Sequence, residues 1–406
     1  MSADKILLAR QPIYDTSMRI TAYELLFRPA DQTTMGIWDG DKATSQVILN
    51  AFTEVGIETV TGSLPAFINF TRKWLLNPPL FDPEQVVIEV LEDVEIDDEV
   101  TQAIVDLAAQ GYKIALDDFI FDEKYIPILR VASIVKLDVL AHDRETIANW
   151  VSRLRFFKVQ LIAEKVETSE MMEYCRGLGF ELFQGYFLCR PQIIKGGTLA
   201  ASKVVVMQLL AELQNPQTEF NHIEKLISQD PTLTYKLLKV FNAAAYALPK
   251  KVDSIKRAVT LLGLKKIKSW AALISMSQMS EKPHALMLTA LVRARMCEQL
   301  AEQLRETEID CYFTVGLFST LDAFFDREMP EVLKDLPLAD NITDALLHQK
   351  GQLGKILQTT IAHERADWDH IDWDTLATIG ITPEDMESAY INSIRWSASI
   401  CNTILN

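Results

Sequence analysis

Two patterns of apolar and polar positions divide this chain of 406 residues. Up to about residue 195, short runs of β-forming residues alternate with amphipathic helical stretches. The runs lie at 6–14, 20–27, 66–70, 86–91, 112–118, 134–138, 159–164 and 181–186, with helical patterns at 42–55, 97–110, 143–155 and 169–178 among those between them. Eight strands joined by helical crossovers predict a parallel α/β barrel of the TIM type. The first two runs are spaced like a hairpin, so the barrel is expected to be irregular there. From about Leu199 the alternation stops, and apolar residues recur every three or four positions, as in 204–213, 223–227, 233–241, 255–262 and 288–304. That half is expected to be all helical. Asp230-Pro231 reads as a helix start, Pro249 as the close of a segment and Gly263 as a helix end. Gly196-Gly197, within 195–198, is the expected joint, giving domains at 1–197 and 198–406.

Charge narrows the function. The formal net charge is −16, and residues 1–200 carry 19 Lys and Arg against 30 Asp and Glu. A duplex-binding surface needs a basic face, so a nucleic-acid partner is not expected. The five cysteines show no CxxC spacing, which argues against a cysteine zinc site and fits a reducing compartment. No uncharged apolar stretch reaches the ~18 residues of a membrane span, and the first twenty residues lack a signal-peptide core. A cytoplasmic location without membrane contact is expected.

The candidate chemistry lies at the strand ends. Side chains alternate between faces along a strand, and barrel active sites gather at the C-terminal mouth. Strand by strand, Glu24 shares a face with Ala22, Asn69 with Phe67, Glu89 with Val87, and Asp117 with Ala115. Likewise Lys136 falls in line with Ile134 and Asp138, Glu164 with Ile162, and Gln184 with Leu182. Asp118 follows where the fifth strand stops. Carboxylates buried together cost several kcal/mol per ion unless paired or metal-bound. The oxygen set of Glu24, Asn69, Glu89, Asp117 and Asp118 suits a hard cation, Mg²⁺ or Mn²⁺. Lys136 and Glu164 stand where they would orient or deprotonate a water, and Asp117 where it would bridge two ions.

These motifs, in this order, resemble the EAL domain family of bacterial cyclic di-GMP phosphodiesterases. The carriers are Gln11-Pro12-Ile13, Glu24-Leu25-Leu26 with Arg28, Ile68-Asn69-Phe70-Thr71, and Glu89-Val90-Leu91-Glu92. They continue with Asp117-Asp118-Phe119, Lys136-Leu137-Asp138, Ala163-Glu164-Lys165-Val166-Glu167, Gln184-Gly185-Tyr186 and Pro191. The resemblance implies that Glu24, Asn69, Glu89, Asp117 and Asp118 ligate metal, and that Glu164 and Lys136 act on the attacking water. It further implies that Arg28 contacts phosphate, Gln11 and Gln184 line the dinucleotide pocket, and Glu92 and Glu167 support the site. The implied reaction opens cyclic di-GMP to linear pGpG. Three departures stand out: Ile120 and Lys165 replace glycines, and Pro29 replaces a tryptophan. The altered loop at 120–125 keeps a second reading open, a catalytically inactive receptor or scaffold; a barrel acting on another phosphodiester is a third.

Residues 223–270 resemble the HDOD domain, a helical relative of HD phosphohydrolases. The carriers include Asp230-Pro231-Thr232-Leu233, Asn242-Ala243-Ala244 and Leu262-Gly263. A hydrolase of that kind would show a His-Asp pair near Gly316-Leu317-Phe318, where Ser319-Thr320 follows instead. His142-Asp143 is expected to cap a barrel helix and His370 to sit in a solvated turn. Met276, Met279, Met287 and Met296 read as core, with a partner groove as the alternative. The lysines and arginine at 250–268 read as a solvated face. The expected partners are cyclic di-GMP, a protein bound through the helical half, and a second copy of the chain.

Overall fold

In a computed structural model, residues 6–29, 56–190, 201–215, 217–242, 254–277 and 283–405, with Val252 and Met279, are described. The predicted helix at 42–55, the Gly196-Gly197 joint, Pro249 and Lys250-Lys251 lie outside the described residues. The chain divides into two compact units, Met1–Phe187 with His363–His370, and Leu188–Ala362 with Ile371–Asn406.

The first unit holds a closed eight-stranded barrel in sequence order. Its strands are β1 (Ile6–Asp15), β2 (Ile20–Pro29), β3 (Ala66–Phe70), β4 (Val86–Val90), β5 (Lys113–Leu116), β6 (Ile134–Asp138), β7 (Gln160–Glu164) and β8 (Leu182–Gln184). The irregularity expected at the first two strands is an antiparallel β1. β1 runs antiparallel to both β2 and β8, while the remaining pairs are parallel. A four-residue turn joins β1 to β2, and so short a link can only reverse the chain. The parallel strands are buried on both faces, β4 and β6 along their whole length, as strands between a barrel interior and covering helices must be, and capping sets the crossover helices. Asp97, Asp143 and Thr168 accept from backbone amides three residues on, opening the helices Asp98–Ala109, Arg144–Leu154 and Ser169–Leu178. His142-Asp143 is thus a capping feature, with the His142 ring against Trp150.

Inside the barrel, Ile13, Ala22, Phe67, Val87, Ala115, Ile134 and Ile162 form one buried layer, with Leu182 packed against it. Each strand contributes one residue. This apolar floor fixes strand register, since a one-residue slip would turn each side chain to the other face.

Gly185 follows β8 at φ +145°, and a Cβ there would lie 2.2 Å from the Val166 carbonyl oxygen. The close approach lets the Val166 amide donate to the Gln184 carbonyl at 3.0 Å. Gly185→Ala is expected to destabilise the barrel by about 3 kcal/mol, since backbone must move to admit the methyl. Urea denaturation followed by barrel tryptophan fluorescence tests this; a midpoint equal to the unsubstituted protein's refutes it.

The second unit is helical throughout its described residues. Asp230 caps the helix Pro231–Phe241 by accepting from the Thr232 and Leu233 amides. Gly263 ends the helix Ile255–Leu262 at φ +84°. The long helix His284–Gln303 packs against Ile309–Phe318 at Gly316, where a Cβ would meet the Arg293 carbonyl oxygen at 2.5 Å. Met276, Met279, Met287 and Met296 are buried, so the core reading of that stripe holds and the groove reading does not. Among the described basic residues, Lys265 pairs with Glu308 and Lys266 with the buried Glu298, both at 2.9 Å. Lys268 donates to the Asn215 carbonyl at 3.3 Å. Lys256 and Lys265 are exposed, as a solvated face requires, and the described pairs lie within their own unit. Among the described residues no helix is long and apolar enough to cross a membrane.

Candidate active site

Two residues along each parallel strand from the floor stand Glu24, Asn69, Glu89, Asp117, Lys136, Glu164 and Gln184. On the reversed β1 the same level is reached two residues earlier, at Gln11, which is paired in register with Glu24. The polar ring predicted from strand parity is therefore assembled, directly above the apolar floor.

At its centre is the Lys136 ammonium, fully buried. Its Nζ lies 3.0 Å from Glu24 Oε2, 2.8 Å from Asp117 Oδ1 and 2.8 Å from Glu164 Oε1, and it also contacts Glu89 Oε1. Gln184 Nε2 donates to Glu24 Oε2 and to Gln11 Oε1, both at 2.7 Å. Gln11 Nε2 in turn donates to the Tyr186 hydroxyl at 2.8 Å. The amide of Phe119 donates to the Lys136 carbonyl at 3.0 Å, and the amide of Asp117 to the Val90 carbonyl at 3.0 Å. Those two bonds tie the end of β5 to both neighbouring strands and so aim Asp117 inward.

Four carboxylates against one ammonium leave an excess of negative charge in a buried mouth. Burial drives the Glu89 carboxyl well above the ordinary carboxylate range; Glu24 adds to the rise and Lys136 opposes it. Burial likewise pushes Glu164 up to about 8 against the pull of Lys136. Burial works against the charged form of Lys136, but Glu164, Glu24, Glu89 and Asp117 outweigh it and hold the ammonium charged. Protons are thus retained where a further cation would otherwise neutralise the ring.

The donor set fits a hard divalent ion. Asn69 Oδ1, Glu89 Oε2, Asp118 Oδ1, Glu164 Oε2 and Gln184 Oε1 are buried without a hydrogen-bond donor. All are oxygens, the ligand type that Mg²⁺, Mn²⁺ and Ca²⁺ take. Among the described residues, however, no three acidic, His or Cys side chains stand in an arrangement that holds an ion. The point where the carboxylates meet is taken by Lys136 Nζ.

Other predicted residues lie away from the ring. Asp118 is half-buried at φ +36°, with Oδ2 3.6 Å from Lys165 Nζ. Arg28, near the end of β2, pairs at 2.7 Å with Asp369 of the same unit. Glu92 is exposed, beside a cavity of about 410 Å³ that also borders Asp117, Asp118, Ile120 and Tyr125. Glu167 is half-buried. His370 is exposed and pairs with Asp367 at 2.5 Å, as a turn residue would. Two residues were given no role from sequence. Asp138 accepts from the Leu140 and Ala141 amides and from Lys165, and Tyr186 anchors Gln11. The signal for Asp138 was available, because it shares the strand face of Lys136.

Comparison with known proteins agrees with the predicted order of modules. The EAL domain profile matches residues 51–191 and the HDOD domain profile residues 199–353. The cyclic di-GMP phosphodiesterase CdgJ of Vibrio cholerae is 33% identical over 405 residues, spanning 97% of this chain and 92% of CdgJ. The Bacillus subtilis protein YuxH is 32% identical, over 97% of this chain and 98% of its own length. A crystal structure of an EAL domain protein from Listeria monocytogenes EGD-e aligns with 45% of this chain and 87% of that one, at 23% identity and a TM-score of 0.34. Near-complete coverage by CdgJ and YuxH, together with both profiles in the predicted order, shows that this chain belongs to the family of proteins that join an EAL domain to an HDOD domain.

Proposed function

We propose that this chain is a metal-dependent phosphodiesterase that hydrolyses cyclic di-GMP to linear pGpG. The observation that carries the reading is the convergence of Glu24, Glu89, Asp117 and Glu164 on one buried ammonium, with further buried oxygens left unsatisfied around it. The name of CdgJ, a relative across nearly the whole chain, supports the choice of substrate.

Glu24, Asn69, Glu89 and Asp117 would hold the ion, Mg²⁺ or Mn²⁺, with Asp118 at the edge of the set. When bound, the ion supplies positive charge for the phosphoryl oxygens. Glu164 takes a proton from the attacking water, whose oxygen bonds to phosphorus as the ester bond to the leaving oxygen breaks, and that oxygen takes up a proton from solvent to leave as a hydroxyl. The Lys136 ammonium stabilises charge that grows as the bond forms, in a site preorganised by its carboxylate partners. Gln11 and Gln184, fixed to each other and to Tyr186, present amide groups to a guanine, and Arg28 presents its guanidinium to phosphate once Asp369 is displaced. Glu92 and Glu167 support the mouth from outside the ring. The helical half, with no His-Asp pair at its Gly316 helix, binds a protein partner, and the chain self-associates as a homodimer.

Purified protein with cyclic di-GMP and Mn²⁺ or Mg²⁺ is expected to release pGpG, and to stop on addition of EDTA. No turnover, with no difference from Glu24→Ala, defeats the reading. The receptor reading is favoured by one feature, the exposed Ile120 beside Asp118. Tight binding of cyclic di-GMP without turnover in either metal selects it.

A further inference from the structure

The acids at the mouth fall into two groups, each with its own ammonium. Glu24, Glu89, Asp117 and Glu164 surround the buried Lys136. Asp118 and Asp138 face Lys165, at 3.6 Å and 2.5 Å. The first group holds four carboxylates to one ammonium and needs further positive charge. The second holds two to one, and Asp138 has in addition the Leu140 and Ala141 amides on its other oxygen, at 2.8 and 3.0 Å. It is already close to balance.

The backbone shows what holds Lys165 there. Its φ is +54°, a left-handed conformation that non-glycine residues rarely adopt. Asp118, across from it, is also left-handed. A residue held in that region is retained by its surroundings, and here the side chain reaches over to Asp138. The ammonium then lies at the open edge of the ring, on the side of Asp118.

We propose that Lys165 is a positioning residue that serves as a built-in cation at the Asp118–Asp138 edge, so that the site takes one divalent ion where a glycine at this position would admit two. The inference rests on the reading above that the ring binds a divalent ion. Asp118 is thereby kept at the edge of the ligand set by the chain's own side chain. A lysine is a compact point charge on a flexible stem, so it neutralises the two carboxylates without closing the mouth.

The test is Mn²⁺ binding to the full-length protein, by electron paramagnetic resonance and equilibrium dialysis, without substrate. The unsubstituted protein is expected to bind one Mn²⁺. Lys165→Gly and Lys165→Asn, which both tolerate the left-handed backbone, are expected to bind a second ion at least 10-fold more tightly than the unsubstituted protein does. The second ion's spectrum should show coupling to the first. Lys165→Arg keeps the charge and should remain at one. Two ions of similar affinity in the unsubstituted protein, or one in every variant, overturns the inference while leaving the metal reading intact. No Mn²⁺ bound by any form overturns both.

Discussion

Replacing Lys136 by methionine is expected to abolish turnover and to destabilise the barrel unless metal is present. Methionine keeps most of the volume and removes the ammonium that four carboxylates share. A buried charge cluster that loses its counter-charge costs about 3–5 kcal/mol. In EDTA the barrel's melting temperature should fall by roughly 10 °C. A dication restores positive charge at the same oxygens, so Mn²⁺ should raise the melting temperature of Lys136→Met by more than it raises that of the unsubstituted protein. Turnover should fall about 10³-fold or more and stay low with metal, because the ion does not replace a hydrogen-bond donor aimed at the reacting oxygen. Equal stability of the two proteins in EDTA would mean that the ammonium is not the centre of the ring.

Glu164→Gln carries the second large effect. Glutamine preserves shape and can still accept from Lys136, but it takes no proton from water. A general base contributes about 10²–10⁴-fold, so kcat should drop by that factor while binding of cyclic di-GMP changes little. The base works when deprotonated, and burial lifts this carboxyl to about 8 in the metal-free site. Turnover of the unsubstituted protein should therefore climb with rising pH and level off. The climb belongs at or below pH 8, since a nearby dication favours the carboxylate. In Glu164→Gln that limb should vanish. A glutamine variant within tenfold of the original rate, with the same pH profile, would remove Glu164 from the role of base.

Much of the ring was legible because a strand's two-residue period is rigid. Once seven strands are placed within a residue or two, parity alone puts Glu24, Asn69, Glu89, Asp117, Lys136, Glu164 and Gln184 on the inner face. β1 was harder, because parity does not reveal chain direction; the short turn before β2 was the only cue, and Gln11 entered through the family motif. What the sequence did not show lies where the backbone leaves the strands. Asp118 and Lys165 both adopt left-handed conformations just past strand ends, and no periodicity governs where such residues point. Arg28 is a different case: its ion pair is with a residue more than three hundred positions away, which no local pattern encodes. The single ammonium shared by four acids was also hidden, because each strand was read alone and the shared partner emerges only when the sheet closes.

Ala22 and Ala115, the two smallest members of the apolar floor, lie directly beneath Glu24 and Asp117. Bulk added at either position would press upward on a carboxylate of the ring by tenths of an ångström, enough to alter rates in a preorganised centre. Natural variants can thus retune this chemistry from below, through side chains that never meet water, substrate or ion.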